Sequence, residues 1–420
     1  MAALLNRKID VESYLIVSTV ISVFLIIRIF RAGVDVFVGY PLVLLNMLLL
    51  LALERLVIHK GHAMVIGAVA LISLLAAHFS STPLTSVIAQ IAGISVMSIY
   101  YFSALLTSGL TIPRWMNLYS SVAFYLAVYG IVENLARHLL HYDPLSEPRL
   151  KSIFAEPSLF IYTTLPAIGY YINAWVSERR YGAEALIFVL AYLLADSALG
   201  FFGLLLIAVF TFIKRLTVWH FLAAVLVCGL LLTGLFFASE NFAIRATDTA
   251  RAVSTQNLVN TNGSTFALLS NIFVAWRAAM DHPLLGVGIG GYSSTYDFFV
   301  VDLDLKNPVG ATRALDLTGL NKDDANSLFL RVTAELGPVG IIALIAFLVV
   351  CAQVQGKPYR QIRNALLPYF LVRMARFGAY FSMELYFFVG LYLLNYLDYR
   401  RSVAPPELAR LPPDRDLSHA

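Results

Sequence analysis

Residues 185–213 read ALIFVLAYLLADSALGFFGLLLIAVFTFI. As a single helix this run of about 29 residues is about 43 Å long, more than the roughly 30 Å that one crossing of a bilayer core needs. Basic pairs flank it, Arg179-Arg180 before and Lys214-Arg215 after. One long helix puts these pairs on opposite faces of a membrane. A hairpin of two short spans, turning near Ala195-Asp196-Ser197, keeps both on the side where Lys and Arg accumulate. The run therefore predicts a membrane hairpin.

The rest of the chain agrees with that reading. Of 420 residues, 59% are hydrophobic and 13% charged, with a mean hydropathy of +0.75. Apolar runs recur from Ser13 to Leu397, and most are apolar on all faces. A soluble domain needs amphipathic elements instead. The net charge of +4 fits basic residues flanking spans, and no nucleic-acid partner is expected. Cys228 and Cys351 both lie in apolar runs, where a thiol behaves as a small hydrophobe. No disulfide and no metal site are expected. The first apolar run follows Arg7 and Lys8 but is followed by Arg28, Phe30 and Arg31, not by a small-residue cleavage site, so it reads as an uncleaved span.

Spans are expected at 13–30, 34–53, 63–79, 84–107, 116–136 and 158–176, then as the 185–213 hairpin, then at 217–237 and 327–353. Ala365 to Leu397 reads as a second hairpin turning near Arg373 to Gly378. The fold class is thus all-α, a polytopic transmembrane bundle of about 12 spans, with both termini cytoplasmic. A large, partly helical external loop from Ser239 to Asn326 precedes the tenth span. Within it Ser264 to Met280 is helical, ending at Pro283 and the glycines that follow. The chain divides into residues 1–137 (spans 1–5), 138–237 (an external segment and spans 6–9), 238–326 (the loop), 327–398 (spans 10–12) and 399–420, a polar, Pro-rich cytoplasmic tail. No internal repeat and no broken helix is evident.

External segments should be poor in Lys and Arg, yet Arg137, Arg149 and Lys151 lie outside in this topology, with His138 and His141. Arg373 and Arg376 sit at a predicted outer turn, and Arg28 and Arg31 end the first span. Single basic residues at that depth snorkel to headgroups. Several segments doing so together point to a polyanion, for which the planar fork of Arg suits phosphate. Glu156, between Ala155 and Pro157 at the lip of a span, is either a partner for Arg149 or Lys151 or a substrate contact or base. Arg277, Asp281 and His282 precede the turn Pro283-Leu284-Leu285-Gly286-Val287-Gly288-Ile289-Gly290-Gly291. The turn follows no strand, which rejects a dinucleotide site. Its glycines permit positive φ and close backbone approach. His282 is either a general base or part of the preceding helix end. Asp323 and Asp324 either complement a helix N-terminus or hold an acceptor hydroxyl, and Arg331 and Glu335 are spaced to pair on one helix face.

Three segments together resemble the O-antigen polymerase and ligase superfamily. Arg149 to Ser158 resembles its basic, aromatic, Glu-Pro segment at the edge of a span. Trp276 to Tyr292 resembles the helix and Pro-Leu-Leu-Gly-x-Gly turn late in its large loop. Asp324 to Gly340 resembles its Asn-containing helix that returns to the membrane and ends in Gly-x-x-Gly. The resemblance covers about the last two thirds of the chain. It implies cofactor-free, metal-independent inverting glycosyl transfer at the outer face of a bacterial inner membrane, from saccharides on undecaprenyl pyrophosphate. Membrane lipids are partners, and a chain-length regulator is compatible with it. With the charge pattern, it makes Arg149, Lys151, Arg277, Asn326, Arg373 and Arg376 the candidates for substrate, and Glu156, Asp324 or His282 those for catalysis. Ligases of the family carry a histidine where this chain has Ala325, which favours a polymerase. The alternatives are a ligase acting on lipid A-core, a flippase or transporter, a peptidoglycan-type glycosyltransferase and a lipid-binding scaffold.

Overall fold

The computed structural model describes residues 11–26, 28–31, 35–80, 82–140, 149–212, 229, 233–234, 236–237, 240–255, 263–305 and 319–403. The elements are α1 (Val11–Phe24), β1 (Arg28–Arg31), β2 (Asp35–Phe37), α2 (Gly39–Ala52), α3 (Lys60–Ser80), α4 (Leu84–Thr107), α5 (Ile112–Leu140) and α6 (Pro157–Glu178). Then follow α7 (Gly182–Ala195), α8 (Ala198–Phe212), α9 (Glu240–Thr255), α10 (Gly263–Asp281), α11 (Tyr292–Phe299), α12 (Val301–Leu305), α13 (Leu328–Cys351), α14 (Tyr359–Arg376) and α15 (Met383–Val403). Helices α3, α4, α5 and α13 are long and apolar enough to cross a membrane, and α1, α2, α7 and α8 are shorter apolar helices. The span expected at 217–237 lies outside the described residues apart from isolated positions, as do His141 and the tail from residue 404.

The 185–213 run folds as two helices. Asp196 ends α7 in the left-handed region (φ 39°), its N–H donating to the Leu193 carbonyl. Ser197 then starts α8 by accepting from the Gly200 N–H at 2.8 Å. The 365–397 segment likewise contributes to two helices, α14 and α15, separated by residues 377–382. The first two expected spans differ. Charged Arg28, Arg31 and Asp35 interrupt the apolar pattern, and α1 stops at Phe24. Residues 28–31 and 35–37 instead pair as a two-stranded antiparallel ribbon.

Helices α6 and α14 run antiparallel through the centre. Their backbones approach closely where a Cβ on Gly169 would lie 3.0 Å from the Ala365 Cα, the small-residue contact by which membrane helices gain packing. Polar side chains join the pair at both ends. At one end Gln361 Nε2 donates to Ser177 Oγ (2.8 Å) and Glu178 Oε1 (2.7 Å), and Lys357 lies 3.5 Å from Glu178. At the other, the Tyr162 and Tyr369 hydroxyls share a hydrogen bond of 2.8 Å. The turn at Asp196, the end of α14 and the start of α13 cluster at this second end.

Candidate functional site

The site is organised around a break in α13. Pro338 has no N–H to give the Ala334 carbonyl, and Gly337 leaves helical geometry at φ 58°, ψ −156°. The Gly-rich turn replaces the missing donors: Val287 N–H donates to Ala334 O and Gly288 N–H to Glu335 O, both at 2.9 Å. Gly286, Gly288 and Gly290 all have positive φ (66°, 84° and 87°). A Cβ on Gly288 would lie 2.7 Å from Ser73 O, and one on Gly290 2.9 Å from Ser86 O. Ser80 and Thr82 each donate to the Val287 carbonyl at 2.8 Å. The turn is therefore a plug wedged between α3, α4 and α13, its polar backbone satisfied by protein, as non-helical backbone at membrane depth requires. The expectation of unbroken helices fails at α13.

Glu335 fixes the plug. Fully buried, it accepts from Gly290 N–H (3.0 Å) and Tyr292 N–H (3.3 Å) through Oε1 and from Arg331 Nε (3.3 Å) through Oε2. Arg331, also buried, donates to Gly378 O at 3.1 Å and stacks 4.1 Å over the Tyr380 ring. The expected pair on one helix face is thus also a joint between the plug, α13 and the turn after α14.

Above the break, Ala325 and Asn326 both adopt φ 56°, a conformation that stores strain in non-glycine residues and is frequent at functional sites. Asp324 Oδ1 accepts from the Asn326 N–H at 2.9 Å, and Ser327 caps α13 by accepting from Leu330 N–H at 3.2 Å. A side chain on Gly378 would strike the Asp324 carbonyl, so only glycine fits there. Asn326 is buried, with Oδ1 accepting from Arg376 and from Asn321 Nδ2 (2.8 Å), while its Nδ2 has no acceptor among the described residues. Arg376 is half-buried. Beside this cluster an apolar groove of about 460 Å³ runs between α8, α10, α13 and α14, lined by Phe202, Leu206, Ile272, Phe329 and Leu371 among others. Ser327, Met374 and Ala375 in its lining are adjacent in sequence to Asn326 and Arg376. Ser327 Oγ donates to the Met374 carbonyl there. Ala325 turns the other way, fully buried with Tyr292 and Tyr296.

The other expected site residues do not join this cluster. Arg373, expected at a substrate, is wholly buried. It donates to Glu384 Oε1 (3.0 Å), Tyr369 (3.1 Å), Ser382 (2.6 Å) and the Ala379 carbonyl. Tyr162 closes the group with a 2.7 Å bond to Glu384. Arg149 reaches the Ala195 (3.3 Å) and Asp196 carbonyls, where it neutralises the C-terminal end of α7. Lys151 is half-buried and Glu156, the N-cap position of α6, is exposed. Neither side chain has a polar partner among the described residues, so the expected ion pair between them is absent there. Arg277 pairs with Asp302 at 3.3 Å on the surface and lies over Phe299. His282 takes part in ending α10 through its backbone, while its half-buried ring has no partner among the described residues.

Sequence reading missed the roles of Glu384, Tyr162 and Tyr369. The signal was present: a lone carboxylate in an apolar run demands a partner. Among the described residues no group of three His, Cys, Asp or Glu stands where it could hold a metal ion. No protein-family model, curated protein or solved structure matches the chain.

Proposed function

We propose that this chain is a surface-polysaccharide polymerase of the O-antigen type. It joins undecaprenyl-pyrophosphate-linked repeat units at the outer face of the bacterial inner membrane, in a bundle of about 12 spans whose Asp196, Ser327 and Arg376 end faces the periplasm. The observation that carries the reading is the apolar groove whose lining includes Ser327, Met374 and Ala375, next in sequence to the bonded pair Asn326 and Arg376. A polyprenyl chain fits such a wall, which brings its pyrophosphate beside the half-buried Arg376 guanidinium; the Asn326 amide, buried and without an acceptor among the described residues, is the next donor inward. The acceptor sugar hydroxyl attacks the anomeric carbon. The bond to pyrophosphate breaks and its electron pair leaves with the phosphate oxygen. Arg376 and Asn326 stabilise that charge, and Asp324 takes the hydroxyl proton. Ala325, where the ligases carry histidine, faces the apolar cluster and supports polymerisation over ligation.

The test is Arg376→Ala and Asn326→Ala in cells that depend on this chain for polymer. Loss of a donor aimed at developing charge reduces rate by about 10²–10³, so long polymer disappears while single repeats still reach the cell surface and the protein remains folded. Normal polymer length and yield in both variants removes the assignment. Finished chains that fail only to reach lipid A-core indicate a ligase, and repeats held on the cytoplasmic side indicate a flippase.

A further inference from the structure

Helix α10 is apolar on two sides. One is packed inside the protein, including Phe266, Val274, Ala275 and Ala278. The other is exposed: Ile272, Trp276 and Met280 at four-residue steps, then Leu284 just beyond the helix, with Trp276 64% and Leu284 74% exposed. Arg277 and Asp281, one position round from Trp276 and Met280, are exposed along the border of this stripe.

Three spanning helices measure its depth. The plug bonds to Ala334 and Glu335, about 9–11 Å along α13 from its first residue. It touches α3 at Ser73 and Ala77, about 5–10 Å before that helix ends. It touches α4 at Ser86 and Gln90, about 3–9 Å after that helix begins. Helix α3 has 21 residues and is about 32 Å long, which matches a hydrocarbon core of about 30 Å and places its end near the core edge. Leu75 and Phe79 on α3 and Val339 and Ile342 on α13 are exposed apolar residues as well.

We propose that the C-terminal half of α10 and the turn after it are seated in the outer leaflet, with bilayer lipid as the occupant of the exposed stripe. Trp276 lies at headgroup level, the preferred place of its amphipathic ring. Met280 and Leu284 lie among the upper acyl carbons, at the depth of about 5–10 Å usual for interfacial helices. Arg277 and Asp281 border the headgroups. Part of the segment expected to be wholly external thus re-enters the membrane. Ile272, which begins the stripe, also lines the groove, so the groove wall is continuous with a lipid-facing surface.

The experiment uses the full chain in phosphatidylethanolamine and phosphatidylglycerol vesicles, with Cys228 and Cys351 replaced by serine. Single cysteines are placed by Ser264→Cys, Trp276→Cys, Met280→Cys and Leu284→Cys. Ser264, exposed at the far end of α10, is the aqueous reference. A membrane-impermeant thiol reagent should label Leu284→Cys and Met280→Cys at least tenfold more slowly than Ser264→Cys. An environment-sensitive fluorophore at 280 or 284 should be quenched by lipid carrying a spin label at acyl carbon 5, and at 276 most strongly by a headgroup label. Without any new cysteine, brominated lipid should quench the parent protein more than its Trp276→Phe variant. Labelling at 280 and 284 as fast as at 264 overturns the proposal. Slow labelling without lipid quenching also overturns it, because protein then covers the stripe.

Discussion

Glu335 is the residue whose replacement tests the plug most directly. It is fully buried, its Arg331 partner is 3% exposed, and the two lie 3.3 Å apart. Glu335→Gln keeps an oxygen for the Gly290 and Tyr292 N–H groups but removes the charge. Arg331 then remains buried as an uncompensated cation, a change that costs about 3–5 kcal/mol. Glu335→Leu also strands the two N–H donors, adding about 1–3 kcal/mol for each. The ranking is therefore Gln less damaging than Leu, with both large. Arg331→Met combined with Glu335→Gln removes the orphan charge, and the double-mutant cycle should recover more than about 1 kcal/mol, as contacting residues do. Unfolding of the purified protein in mixed micelles by added denaturing detergent gives the free energies. Hydrogen exchange at the Gly288 to Tyr292 amides reports whether the plug has come loose. If Glu335→Gln unfolds within about 1 kcal/mol of the parent and those amides stay protected, the account of the joint is refuted.

Two further substitutions separate structural from chemical roles. Arg149→Ala should weaken folding by about 1–2 kcal/mol, the worth of a cation at a partly buried helix C-terminus. Arg149→Lys should restore much of it. Polymer lost at unchanged unfolding free energy would return Arg149 to the substrate. Glu384→Gln should destabilise by about 3–5 kcal/mol through the buried Arg373 charge, and Arg373→Met with Glu384→Leu should unfold near the parent. A stable double variant that makes no polymer would show that the pair serves the reaction.

The breaks that divide the 185–213 and 365–397 runs between two helices each were legible because two independent signals coincide in them: apolar length that exceeds one crossing, and basic flanks that the charge rule assigns to one side. The 28–31 and 35–37 ribbon was not, since the apolar pattern flows almost unbroken across it and only three charges interrupt it. At the site, Asn326 and Arg376 were visible, one from a motif and the other from its violation of the charge rule. Arg149, which breaks the same rule, meets protein carbonyls instead of joining that pair. Sequence cannot show that the carbonyls of Ala195 and Asp196, more than forty residues away, end at that guanidinium. Glu335 was seen as a local partner of Arg331. Its bonds to Gly290 and Tyr292 span 45 and 43 residues and depend on the broken helix. Gly337-Pro338 in turn reads as a tolerable pair inside an apolar span until a second segment is known to supply the missing donors. The glycines of the turn at 286–291 were legible as permitting positive φ and close backbone approach. What sequence could not show is what they approach: the backbones of α3, α4 and α13. By bonding to Ala334 and Glu335 the turn holds the helix that follows the strained Ala325-Asn326 backbone, a tie between distant segments that no local pattern in the sequence records.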